Sequence, residues 1–139
     1  FNPGNFRVFC RILLMVLPGW LGSGSMLSAQ PADILPALEK ALTAGNSRDI
    51  AAHFSDHVNL AIPGTDGVFS KEQAGVILKD FFTRNKPTHF KTNHKGKSGE
   101  GASYFVGTLT CGKKKFSLYV LMRESGAKST IRQFQVEED

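Results

Sequence analysis

Cysteine is scarce in this 139-residue chain, and tryptophan occurs once. No apolar run approaches the ~20 residues that a membrane-spanning helix needs. Cys10 and Cys111 are the only thiols, and Cys10 sits in a segment whose removal is expected. The remaining chain then has no internal disulfide, and packing alone must hold it together. Asp, Glu and His are absent from residues 101 to 123, so that stretch supplies none of the usual groups of general acid–base catalysis. After residue 30 there is no internal repeat, low-complexity tract or linker.

What is present begins with Arg7 and Arg11, the apolar run ILLMVL at 12 to 17, and the small residues of SMLSA before Gln30. Charge, short apolar core and small-residue cleavage site are the pattern of a secretory signal peptide, here residues 1–29. Pro18 and Gly19 break the apolar run, which speaks against a stable membrane anchor, and no cysteine stands at the cleavage point to carry a lipid. The expected location is periplasmic or secreted. Residues 30–139 make a single domain of 110 residues, long enough for one core. Its net charge of +3 suits solubility and is too small to indicate nucleic acid.

In PADILPALEKALTAGN, helical spacing aligns Ile34, Leu35, Leu38 and Leu42, with Gly45 as terminator. SRDIAAHF reads as a second, short helix burying Ile50 and Phe54. HVNLAI alternates as a strand, and PGTDG is read as a turn. Ser70 and Gln73 form a capping box that starts a third helix near residue 71, presenting Ala74, Ile77, Leu78, Phe81 and Phe82 until Pro87 ends it. Four segments of strand formers follow. The order implies an α+β domain in which helices cover one face of a curved antiparallel sheet.

Within YFVGTLTCGKKKFSLYVLM, a turn at Gly112 and Lys113 sets Leu109 opposite Phe116, Gly107 opposite Leu118 and Phe105 opposite Val120. That face is apolar and belongs against the helices. The other face carries Tyr104, Val106, Thr108, Tyr119 and Leu121, with Ser117 beside them. Water-facing sheet surfaces are mostly polar, whereas tyrosines among aliphatic and hydroxyl neighbours suit a protein interface. These five residues are expected to form a homodimer interface.

The stretches DILPALEKAL, GVFSKEQAGVILKDFF and GASYFVGTL, with the order of elements around them, resemble the secreted bacterial family called domain of unknown function 4783, over residues 31 to 137. That family belongs with the nuclear-transport-factor-2-like, SnoaL-like or cystatin-like folds. The resemblance implies a cone-shaped sheet around the first helix, a cavity open at one end and frequent dimerisation through the sheet, and it brings no catalytic residues. Lining such a cavity, for a small apolar or amphipathic ligand, are expected Leu38, Phe54, Leu78, Phe82, Phe105, Leu118 and Gln133.

Chemistry is sparse elsewhere. His53 and His57 have i, i+4 spacing, but the helical pattern ends near Phe54 and a third metal ligand is missing, so neither metal nor cofactor is expected. Cys111 stands beside three lysines, which would favour thiolate, yet without a partner base it reads as structural. KTNHKGK alternates so that His89, Lys91, Asn93 and Lys95 share one strand face, a pattern that protects an exposed edge. Few aromatics stand ready to stack bases, so nucleic acid is not an expected partner. The sequence thus favours a non-catalytic domain. Its rivals are a cavity enzyme of the isomerase or hydro-lyase kind and an association module without a ligand.

Overall fold

A computed structural model describes residues 33–125 and 128–139. The expected signal peptide, with Cys10, lies outside them. Helix α1 runs over Leu35–Ala44, where a proline in the first turn suits the helix start and Asp33 Oδ1 accepts a 3.0 Å hydrogen bond from the Leu35 amide. Leu35, Leu38, Ala41 and Leu42 form its buried stripe. Gly45 closes it in the left-handed conformation, φ 68°, which glycine adopts without steric cost. Helix α2 is short, Ser47–Ala51, and its Asn46 cap accepts from the Asp49 amide. Ile50 is buried there as expected, but Phe54 belongs to the next strand.

Strand β1 spans Phe54–Ile62 and turns through Gly64 into β2, Thr65–Ser70. The sequence pattern predicts a turn where β2 begins and five strands in all, whereas the described residues form six. None of its side chains is fully buried, so it lacks the apolar alternation by which strands are recognised. Helix α3, Lys71–Arg84, starts at the expected capping box: the Gln73 amide donates to Ser70 Oγ, and the Ser70 amide donates to Gln73 Oε1. Strands β3 (His89–Lys97), β4 (Ala102–Cys111), β5 (Lys114–Ser125) and β6 (Lys128–Glu138) complete the chain.

The six strands lie in the order β2-β1-β6-β5-β4-β3. Every neighbouring pair is antiparallel except β1 and β6, which run parallel, so the curved sheet is mixed rather than wholly antiparallel. The β4–β5 register agrees with the expected one, including Gly107 opposite Leu118 and Val106 opposite Tyr119. The fold class is α+β, with three helices packed on one side of the sheet.

Between helices and sheet the core is dense with phenylalanine. Phe81 meets Phe116 edge-on at 5.3 Å between ring centroids, Phe54 meets Phe134 at 5.9 Å, and Phe90 meets Phe105 at 6.1 Å. The Phe90 ring occupies the space beneath Gly107, where a β-carbon would stand 2.5 Å from it. No buried side-chain nitrogen or oxygen among the described residues lacks a hydrogen-bond partner.

Candidate functional site

Strand alternation fixes two faces. The inner one carries Phe105, Leu109, Phe116, Leu118, Val120 and Met122, all buried. Of the residues expected around a ligand, Leu78, Phe105 and Leu118 have no surface that water can touch, Leu38 and Phe54 have almost none, and Phe82 is 6% exposed. All six belong to one hydrophobic cluster, so these side chains fill the space themselves. Gln133 does not join them. It pairs across the sheet with Leu121, and the inward positions of β6 go to Ile131, Phe134 and Val136. A register shift beside Leu121 sets this phase, and the sequence around the last turn gave no sign of it.

The outer face is the more distinctive surface. Two rows cross all six strands. One carries Val68, Asn59, Gln133, Leu121, Tyr104 and Gly96; the other carries Asp66, Ala61, Gln135, Tyr119, Val106 and His94. Neither row contains Lys, Arg or Glu, and Asp66 stands on the outermost strand. Charges flank the rows instead, with Arg123 to one side and Glu137 and Lys91 to the other.

Near its centre, Tyr104 and Tyr119 stack with centroids 6.1 Å apart and planes inclined by 26°. His94 Nε2 lies 2.9 Å from the Tyr104 hydroxyl, fixing the tyrosine's tip. Gly96 lies beneath that ring, since a β-carbon there would come within 3.1 Å of the hydroxyl. Tyr104, Val106, Thr108, Tyr119 and Leu121 are all half-buried within the single chain. A chain of amides continues the surface: Gln133 Nε2 donates to Gln135 Oε1, and Gln135 Nε2 donates to Glu137 Oε1.

His94 reaches this face because β3 carries a bulge between Thr92 and His94. Strict alternation would have placed His94 with Phe90 and Lys95 with Lys91. The extra residue, Asn93, reverses the phase, so His94 comes beside Val106 and Lys95 pairs with inward Phe105. Asn93 Nδ2 donates to Thr108 Oγ1 at 2.8 Å, and Thr92 Oγ1 donates to Glu39 Oε2 of α1 at 2.7 Å, so both sides of the bulge are anchored.

The remaining candidates do not converge. His53 lies in the turn after α2 while His57 lies in β1, so the pair does not share a helix. No group of three His, Cys, Asp or Glu residues that could hold a metal comes together among the described residues. Burial pushes the Cys111 thiol up from its ordinary value, the opposite of what a reactive thiolate requires.

A family model described as Domain of unknown function (DUF4783) matches residues 35–137. The chain belongs to this family. Solved DUF4783 structures agree with the architecture: one from Bacteroides fragilis YCH46 is 29% identical, with TM-score 0.71, covering 77% of this chain and all of that one. Another, from Bacteroides ovatus ATCC 8483, is 26% identical, with TM-score 0.69, covering 80% and 96%. A putative calcium/calmodulin dependent protein kinase II association domain from Xanthomonas campestris shares the fold alone, at 18% identity, TM-score 0.58 and coverage of 81% and 93%. No curated protein matches. The DUF4783 domain thus has a nuclear-transport-factor-2-like fold, and the family name carries no activity. No described helix is long and apolar enough to cross a membrane.

Proposed function

We propose that this DUF4783 domain is a non-catalytic association module, exported to the periplasm or beyond, that forms a homodimer through the outer face of its sheet. One observation carries the reading: two residue rows spanning six strands contain no Lys, Arg or Glu and centre on a stacked tyrosine pair. A face exposed permanently to water would ordinarily alternate charged side chains with the buried ones. Tyrosine supplies contact area at low entropic cost, and the glutamines supply hydrogen bonds at the margin. A two-fold pairing of such faces buries the neutral rows against each other and leaves Arg123, Glu137 and Lys91 at the rim.

The filled interior favours association over ligand storage, because a guest would have to displace Leu78, Phe105 or Leu118 from full burial. The fold also serves the Xanthomonas protein, whose own description is an association domain. Native mass spectrometry of the purified protein tests the reading. An empty dimer is the expected result. A dimer carrying a discrete added mass would restore the apolar-ligand reading, and a monomer at all concentrations would sink self-association.

A further inference from the structure

On the helical side of the domain, away from the sheet's outer face, two depressions of about 600 and 500 Å³ adjoin along α2 and α3 and share Ser47, Arg48 and Lys79. Together they form one furrow. Arg48 comes from its α2 wall, Lys71 and Lys79 from its α3 wall, and Lys86 from the segment after α3. Glu72 is the single acid among the described residues that line it. Among the described residues none of the four cations has a carboxylate within ion-pair distance; Asp49 and Glu72 follow Arg48 and Lys71 in sequence without pairing with them, and Asp80, next to Lys79, is engaged by Arg84. Four cations against one lining acid favour an anionic occupant.

We propose that this furrow binds an acidic polysaccharide. The cations are distributed rather than focused: Lys71 and Lys79 are eight residues apart on α3, about 12 Å along the axis, which suits charges spaced along a chain better than a single small anion. Between them the floor is apolar. Val76 is 68% exposed there, a rarity among the large apolar side chains of this domain, and Ala51 lies beside it. Such a floor suits the C–H face of a sugar ring. Bases of a nucleic acid would instead want exposed aromatic rings, and the one aromatic among the described residues that line the furrow, Phe82, is buried. Cations from two facing walls hold a strand laid between them, whereas a flat bilayer would be met by cations on a convex surface.

The walls are also fixed in place. A β-carbon on Gly75 would come 3.2 Å from that of Ala51, and one on Gly45 would come 2.8 Å from Pro87 Cδ, so α2 packs closely on α3, and the turn between α1 and α2 packs closely on the segment after α3. A site built before its ligand arrives loses less entropy on binding.

The test is independent of self-association. Binding of the full chain to polygalacturonate and to dextran sulfate is measured at low salt, with neutral dextran as control, for the natural protein and two triple variants. Arg48→Gln/Lys79→Gln/Lys86→Gln removes charge from the furrow; Lys95→Gln/Lys97→Gln/Lys113→Gln, the β3 variant, removes as much from β3 and the β4–β5 turn. The furrow variant should lose affinity on the order of tenfold or more while the β3 variant loses far less, since each lost cation–anion contact removes one counterion-release step. Equal loss in both, or no binding of either polymer, overturns the proposal. So does furrow-dependent binding to phosphatidylglycerol vesicles without binding to the polymers, which would make the partner a membrane. Melting curves identify a misfolded triple variant, in which case Lys79→Gln alone, expected to weaken binding severalfold, decides.

Discussion

Phe90 stands in the space that any side chain at position 107 would need. A β-carbon on Gly107 would lie 2.5 Å from both the Phe90 ring and the Lys91 carbonyl oxygen, so glycine here is a packing requirement rather than a turn. Its backbone is ordinary strand, and its missing side chain lets the Phe90 ring reach Phe105 from the neighbouring strand. Gly107→Ala should therefore destabilise the domain by roughly 1–3 kcal/mol through overpacking, despite alanine's better fit to extended backbone. Thermal melting checks this: an unchanged or raised Tm would mean that β3 shifts freely, contrary to its anchored bulge.

The outer face yields a prediction of the opposite kind. Tyr119 is half-buried and unconnected to the core, so Tyr119→Lys should leave the melting temperature of the monomer almost unaltered while abolishing the dimer. Sedimentation velocity across a concentration series distinguishes the two species. A variant that still dimerises would move the interface to another surface.

Ser70 works locally. Its hydroxyl accepts from the Gln73 amide at 3.2 Å, and Gln73 returns a contact to the Ser70 amide. Ser70→Ala should cost about 1 kcal/mol. In urea the midpoint should fall with an unchanged slope, because the surface exposed on unfolding is the same.

Burial holds His53 below the ordinary imidazole value of 6.5, with Asp49 opposing the shift and Lys71 adding to it. Its proton therefore binds the unfolded chain more readily than the folded one. Stability linked to the neutral ring is complete above the unfolded value and declines as pH falls through 6.5 toward the lower folded value. Melting temperatures across that window should fall more steeply for the natural protein than for His53→Gln. Parallel curves would assign the acid sensitivity elsewhere.

Much of this was legible in the sequence where a pattern has one physical cause. The apolar stripe of α1, the capping box of α3 and the register of the β4–β5 hairpin follow from 3.6-residue spacing, paired hydrogen-bonding side chains and a glycine turn. What stayed hidden depends on phase shifts and long-range pairing. One inserted residue, Asn93, decides whether His94 or Lys95 reaches the outer face, and periodicity is blind to it. The shift beside Leu121 turns Gln133 away from the core in the same manner. Strand β2 escaped notice because an edge strand without buried side chains has no apolar signature. The furrow on α2 and α3 joins residues distant along the chain, and their convergence is a property of the packing.

Strand β6, the last of the six in chain order, sits between β1 and β5 rather than at an edge. Until it arrives, the β1–β2 hairpin and the β3–β4–β5 meander have no strand in common. The hydrophobic surface of both must wait for a strand that follows them in the chain, so the sheet closes late and all at once. The arrival of this one central strand, more than any local turn, is what makes this domain a domain.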